Sequence, residues 1–187
     1  MAHKKLQTPV SAEDHIQGNQ QAAIALVEYG DYQCPYCGLA YPVVKRLQRH
    51  FANDLKFVFR NFPLVQSHEY ALLAAAAAEA AGNQGQFWEM HDMLYEHQEQ
   101  LTSQDLLSYA KDLKLDLIQF DQDIKSEAIL NRIRADYGSG EMSGIEGTPA
   151  FFINGEKYIG APQFSEMKQF IEELITRRTK WDLNTQA

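Results

Sequence analysis

The chain has 187 residues, which is enough for a domain with a sizeable hydrophobic core and an insertion. Its formal net charge of −8, with no basic stripe or basic helix, argues against nucleic acid or an anionic membrane as a partner. With 2 cysteines it has no framework of structural disulfides, and no apolar run is long enough to predict insertion into a membrane.

Residues 1–20 are polar and are predicted to form an N-terminal arm that ends in a turn at residues 17–20. The arm has no apolar stretch typical of a signal peptide. A cytoplasmic location is therefore expected, and the low cysteine content agrees with a reducing compartment. The location would be extracytoplasmic if the natural N-terminus had been processed or replaced.

Apolar runs next predict a β-α-β unit. Residues 24–29 are typical of a central strand buried on both faces, and Glu28 is their one charged residue. A helical pattern then extends to about residue 50, and residues 55–59 predict a second strand. Because a helix connects the two strands, they are expected to be parallel neighbours.

Helical periodicity then dominates residues 67–144 and predicts an inserted all-helical domain. Ser67 is predicted to cap an alanine-rich helix, and Thr102 with Asp105 resembles a capping box. Gly138 and Gly140 lie near the end of the last predicted helix of the insertion, and a shorter helix is the alternative there. The predicted helices cover residues 71–81, 87–95, 106–113, 117–124 and 127–142.

A β-hairpin and a final helix close the pattern. Asn154-Gly155 separates two apolar segments and supplies the positive φ angles of a type I′ turn. Residues 165–178 then form an amphipathic helical pattern. The predicted class is therefore α/β, with a core at residues 21–66 and 145–180 and the insertion at residues 67–144.

The motif Cys34-Pro35-Tyr36-Cys37 stands where the first strand gives way to a helix. Two cysteines spaced in this way on a helical turn rise by about 4.5 Å, within the range that a disulfide tolerates. Pro35 suits the first helical position, which places Cys34 at the N-cap. The helix start should lower the pKa of Cys34 below about 8.5. Cys34 is thus the predicted nucleophile and Cys37 the predicted resolving thiol.

Other readings of the cysteine pair fit less well. A disulfide across so short a loop constrains the unfolded chain little. A zinc site needs four ligands, and the six histidines are not spaced to complete one. A cysteine protease would use a single thiol with a separate histidine base. We expect neither a metal nor an organic cofactor.

Several residues near the motif are candidates for supporting chemistry. A carboxylate in a buried strand is costly unless it is protonated or paired, so Glu28 is predicted to shuttle the proton of Cys37, unless it is exposed at the strand end. Asp31 is a weaker candidate for the same task. Tyr32, Tyr36 and Phe62 either line an apolar groove for a substrate peptide or belong to the core.

Three segments together resemble the DsbA-like branch of the thioredoxin superfamily. They are residues 28–37, residues 74–91 and Gly147-Thr148-Pro149 with the apolar run that follows, within a match over about residues 12–178. The resemblance implies a thioredoxin fold, β-α-β then β-β-α, interrupted by a helical domain. It also implies a cis peptide bond before Pro149, in a loop that lies against the cysteine pair, and a proton-shuttling glutamate at position 28.

The predicted function is that of a protein-disulfide oxidoreductase acting on protein or peptide thiols and disulfides. The backbone of Thr148 would pair with an extended substrate, which Pro149, Pro35 and Tyr36 would also contact. The best-known oxidants of the family carry histidine where this chain has Tyr36, so the direction of electron flow stays open. Glutathione and a redox partner protein are further candidate partners.

Two alternative functions belong to different classes. Kappa-class glutathione transferases share the inserted architecture, but their site usually lacks the second cysteine, in contrast to Cys37 here. A peptide-binding chaperone module would use the groove to hold peptides. Cys34→Ser and Cys37→Ser variants separate disulfide turnover from both alternatives, because chaperoning or transfer should survive loss of Cys37 and turnover of protein disulfides should not.

Overall fold

The computed structural model describes residues 5–185. Within them, one five-stranded sheet with strand order β1-β3-β2-β4-β5 is packed against α-helices. The strands are β1 His15–Gly18, β2 Ile24–Gly30, β3 Leu55–Asn61, β4 Ala150–Ile153 and β5 Glu156–Lys157. The helices are α1 Pro35–Phe51, α2 Ala71–Gly82, α3 Phe87–Glu96, α4 Ser103–Asp112, α5 Leu117–Asp123, α6 Glu127–Met142 and α7 Phe164–Thr185.

Strands β2 and β3 form the centre of the sheet. They pair in parallel, with Ile24 opposite Leu55, as the predicted β-α-β unit requires. Nearly every side chain of both strands is buried, because helices cover one face of the sheet and the opposite face carries a second apolar cluster. Helix α1 crosses between them and buries Val44, Leu47 and Phe51 in the core.

The remaining strands are antiparallel. β4 pairs with β2 and then with β5, through a turn in which Asn154 and Gly155 have φ angles of 50° and 82°, in agreement with the predicted hairpin. Strand β1, which pairs with β3, lies inside the predicted polar arm and was missed. It has one apolar residue in four, so its strand conformation depends on pairing with a distant edge and not on a local pattern. The first four residues of the arm lie outside the described part of the chain.

Helices α2 to α6 lie between β3 and β4, at the place predicted for the insertion. The capping box of Thr102 and Asp105 is confirmed. Ser67 does not cap α2: its N–H bonds to the carbonyl of Leu64 in a separate turn, and the helix begins at Ala71. The division into a core and an inserted domain stays a prediction.

Helix α6 runs from Glu127 to Met142, the bounds predicted for it, and Gly138 and Gly140 do not shorten it. A β-carbon on Gly140 would lie 2.7 Å from the ring of Phe62 and 3.1 Å from that of Tyr29. Glycine here therefore permits close packing of α6 against the sheet. Among residues 5–185, none of the helices combines the length and apolar character that a membrane crossing requires.

Candidate active site

The sheet topology brings two distant segments to the cysteine motif. Strand β2 ends at Gly30, and the next residues lead directly into α1. Because β4 is antiparallel to β2, the start of β4 lies at the edge where β2 ends, with Ala150 opposite Tyr29. The Thr148–Pro149 segment therefore lies beside the motif. Its peptide bond is cis, and the Cys34 Sγ atom lies 3.4 Å from the carbonyl oxygen of Thr148.

Cys34 occupies the N-cap of α1 in an extended conformation, and Pro35 begins the helix, as the sequence predicts. Both cysteines are in the free form. The exposed fraction is 3% for Cys34 and 0% for Cys37. A substrate sulfur would therefore reach Cys34 first, while Cys37 lies beneath it.

The surroundings of Cys34 favour its anion and lower its pKa from 9.0 to about 5. The largest cause is a hydrogen bond donated by the Cys37 thiol; the side chain of Thr148 and the backbone N–H groups of Cys37 and Tyr36 add to it, while burial acts in the opposite direction. In the thiol form, Cys34 instead donates to the Thr148 carbonyl, and Thr148 Oγ1 has no hydrogen-bond partner among the described residues. The helix start thus lowers this pKa as predicted, but the second thiol contributes more.

This difference in acidity predicts the pH dependence of alkylation. The rate at which iodoacetamide modifies Cys34 should rise through a midpoint near pH 5, against about 8.5 for an ordinary cysteine. Cys37→Ala should shift the midpoint upward, because it removes the strongest donor to the thiolate. Mass spectrometry of the alkylated protein measures both profiles. A wild-type midpoint above 8 would contradict the assignment of Cys34 as a stabilised thiolate.

Cys37 and Glu28 form a buried acidic pair behind Cys34. Burial is the first cause that raises the pKa of the Cys37 thiol well above its usual range, followed by its hydrogen bond to Cys34 and the charge of Glu28. Glu28 is 2% exposed, so the alternative of an exposed strand-end carboxylate is wrong. Burial, and then the negative charge of Cys34, raise the pKa of Glu28 to about 8. Its Oε1 atom has no hydrogen-bond partner among the described residues.

Asp31 holds the loop that precedes the motif. Its carboxylate accepts hydrogen bonds from the backbone N–H groups of Gln33 and Leu64, both at 2.8 Å, and lies 2.8 Å from Nδ1 of His68. With both oxygens engaged, this side chain anchors the loop to the segment between β3 and α2. That geometry argues against the second proton-shuttle candidate suggested from the sequence.

No sequence pattern predicts the contacts that the helical segments make with this loop. The side-chain amide of Gln98 donates to the carbonyls of Tyr32 and Cys34, and the N–H of Tyr70 donates to the side chain of Gln33 at 2.6 Å. These partners are separated by 37 to 66 residues, and none belongs to a recognisable motif. Only the folded chain brings them together.

Of the three aromatic residues near the motif, two lie in the core and one, Tyr36, is exposed. Tyr32 and Phe62 belong to the core, with exposed fractions of 1% and 2%, and Phe62 stacks on Tyr137 at 4.2 Å between ring centroids. Tyr36 is 68% exposed beside the nucleophile and is thus available to a bound molecule. Within the described residues, no group of three or more His, Cys, Asp or Glu side chains is arranged to hold a metal ion.

Comparison with solved structures finds proteins of the same fold. A thioredoxin-like oxidoreductase from Silicibacter pomeroyi DSS-3 has a TM-score of 0.80 and 25% sequence identity, over 89% of this chain and 94% of that chain. The thiol-disulfide exchange protein alpha-DsbA2 from Wolbachia pipientis has a TM-score of 0.77 and 23% identity, over 87% of this chain and 88% of that chain. Both share the fold described above.

Curated proteins also match most of this chain. A protein named Na(+)/H(+) antiporter NhaA 1, from Salinispora arenicola (strain CNS-205), is 46% identical over 157 residues, which are 83% of this chain and 24% of that protein. The chain spans about a quarter of the length of the curated relatives it matches. The family model Thioredoxin_4, described as thioredoxin, matches residues 10–173. The chain therefore belongs to this thioredoxin family, and its fold is that of the DsbA-like thiol-disulfide oxidoreductases.

Proposed function

We propose that this chain exchanges disulfide bonds with protein or peptide substrates through Cys34 and Cys37. The observation that carries the proposal is the contrast between the two thiols. Cys34 is the outer thiol, with a pKa lowered to about 5, and Cys37 is fully buried with a raised pKa. At neutral pH one sulfur is thus a nucleophile while the other stays protonated until it is needed.

In the reducing direction, the Cys34 thiolate attacks a substrate disulfide. An S–S bond forms between Cys34 and one substrate sulfur, and the other substrate sulfur leaves as a thiolate. Cys37 then loses its proton and attacks Cys34, which releases the second substrate sulfur and leaves the Cys34–Cys37 disulfide. Two electrons pass from the protein to the substrate, and the oxidising direction is the reverse of these steps.

Neighbouring residues would serve this cycle in different ways. Glu28 is the proposed acceptor of the Cys37 proton, since its raised pKa of about 8 suits proton transfer near neutral pH. The backbone of Thr148, beside the Cys34 sulfur, would pair with an extended substrate segment. Pro149, Pro35 and Tyr36 would contact that substrate.

The direction of electron flow depends on the reduction potential of the Cys34–Cys37 pair. Equilibration of the purified protein with glutathione buffers, followed by acid quench and mass spectrometry, gives the fraction in the disulfide form. A poise near that of the cytosolic glutathione pool would favour a reductant in the predicted cytoplasmic location. A more oxidising poise would favour an oxidant and an extracytoplasmic location. Absence of any exchange with glutathione or a protein disulfide would contradict the proposed function.

Replacement of Cys37 by serine is expected to trap the intermediate. Cys34 can still attack a substrate disulfide, but without Cys37 the mixed disulfide is not resolved and turnover stops after one event. Non-reducing electrophoresis and mass spectrometry should show a 1:1 adduct that a reductant releases. Continued multiple turnover would instead favour glutathione-dependent transfer, and undiminished peptide holding without an adduct would favour a chaperone module.

The antiporter activity is named for curated proteins of which this chain matches only about a quarter. The match covers 24% of the Salinispora arenicola protein, so about three quarters of that protein has no counterpart here. The cysteine site, in contrast, lies entirely within the matched thioredoxin family region.

A further inference from the structure

Gln98, in the connection between α3 and α4, reaches the cysteine loop from the helical segments. Its Nε2 atom lies 2.7 Å from the carbonyl oxygen of Tyr32 and 3.0 Å from that of Cys34. The Cys34 carbonyl also accepts the N–H of Gly38 at 3.1 Å, the first backbone hydrogen bond of α1. The side-chain amide of Gln98 therefore links the backbone of Cys34 to that of Tyr32 through two hydrogen bonds.

Gly38 provides the space for this contact. A β-carbon at position 38 would overlap Oε1 of Gln98. Gly38 does not have a positive φ, so its backbone conformation does not itself require glycine. Glycine is nevertheless a poor helix former, and alanine at this helical position would otherwise be favoured. Glycine at position 38 therefore lowers the helix propensity of α1, but it leaves the space that the Gln98 side chain occupies.

We infer that Gln98 is a positioning residue that holds Cys34 and the first turn of α1 in the geometry that stabilises the thiolate. This inference rests on the proposed disulfide exchange. The carbonyl of Cys34 carries partial negative charge within the nucleophile's own residue, and the Gln98 amide compensates it. The same hydrogen bonds keep the N–H groups of Tyr36 and Cys37 directed toward the sulfur, where they favour the anion.

The direction of the effect on the redox equilibrium follows from linkage. The thiolate exists only in the reduced protein, so every interaction that stabilises it makes the disulfide easier to reduce and a stronger oxidant. Loss of the Gln98 amide should therefore raise the pKa of Cys34 and make the protein disulfide less oxidising. The donors to the thiolate that lie within the motif itself would remain.

Gln98→Ala tests the inference. We expect the alkylation midpoint of Cys34 to rise by about one pH unit and the equilibrium with glutathione to shift about tenfold toward the protein disulfide at pH 7. Gln98→Glu should produce a larger change in the same direction, because a carboxylate cannot donate and adds negative charge. Gln86→Ala is the matched control, since Gln86 Nε2 donates in the same way to the Leu113 carbonyl at 2.9 Å, away from the motif.

Gly38→Ala tests the same contact without replacing Gln98, because the added β-carbon should displace the Gln98 amide. It should raise the alkylation midpoint in the wild-type background but not in the Gln98→Ala background, where the overlap is gone. In that background alanine should instead raise the midpoint of urea unfolding, by improving the helix. If Gln98→Ala does not fold, Gly38→Ala alone still reports whether the displaced amide alters the thiol.

Three results would overturn the inference. They are an unchanged Cys34 midpoint in both Gln98→Ala and Gly38→Ala, an equal change in Gln86→Ala, and additive effects in the double variant. Failure of the proposed function would look different. The wild-type protein itself would then not equilibrate with glutathione or exchange with a protein disulfide, whatever the alkylation midpoints of the variants.

Discussion

Serine in place of Cys34 is expected to lower the rate of protein disulfide reduction by on the order of 10³-fold or more, to the uncatalysed level. A hydroxyl is neither ionised at neutral pH nor able to form an S–S bond. Cys37 remains, but it is fully buried and its pKa is raised, so it cannot replace the nucleophile. Turbidity from insulin reduction, with dithiothreitol as electron donor, measures the rate.

Cys37→Ser is the matched control, because it makes the same atomic change one helical turn away. It should form a mixed disulfide with substrate, whereas Cys34→Ser should form none. Circular dichroism of both variants establishes that the fold is retained, and the change of sulfur to oxygen is small enough for this to be expected. Retention of more than a tenth of the wild-type rate by Cys34→Ser would mean that Cys37 is the attacking thiol and that the assignment is wrong.

The second large effect is expected for Glu28→Gln, on stability and on catalysis. In the reduced folded protein the pKa of Glu28 is raised from 4.5 to about 8, mainly by burial. The stability of the folded state is therefore unaffected by this group below pH 4.5 and falls as the pH rises to 8. At about 1.4 kcal/mol per pKa unit, the loss is on the order of 4 to 5 kcal/mol.

Glutamine has the same shape but does not titrate, so the variant should lack this part of the pH dependence. The difference in unfolding free energy between Glu28→Gln and the wild type, from urea unfolding of the reduced proteins, should grow in favour of the variant from pH 5 to pH 8.5. Glu69→Gln, which removes an exposed carboxylate, should show no such growth. A constant difference across this range would show that Glu28 is not a buried acid with a raised pKa.

The same variant should slow resolution of the mixed disulfide. Without the carboxylate, the Cys37 proton loses its proposed acceptor, and loss of a positioned general base typically costs about 10²-fold or more. Single-turnover kinetics with a labelled peptide disulfide separate this step from the first attack. The first attack should change less, because Cys34 is already a thiolate at neutral pH. A larger loss in the first step than in the second would contradict the proposed proton transfer.

Much of the fold could be predicted because its signals are local. The apolar run of β2 and the Asn154-Gly155 turn are patterns contained within a few residues, and each appears in the structure where it was predicted. The capping box at Thr102 is equally local and equally reliable. In contrast, β1 depends on pairing with β3 elsewhere in the chain and was not predicted. The start of α2 at Ala71 agrees with the prediction, but Ser67 does not cap it.

The candidate site divides in the same way. The order of the two cysteines and the place of Cys34 at the start of a helix were determined by the sequence alone, through Pro35 and the spacing of the motif. The burial of Glu28, the engagement of Asp31 and the contact of Gln98 were decided only by the tertiary structure. Burial and long-range hydrogen bonds depend on which elements pack together. Gln98 and Cys34 lie 64 residues apart in the chain, so no local pattern of residues predicts that they are in contact.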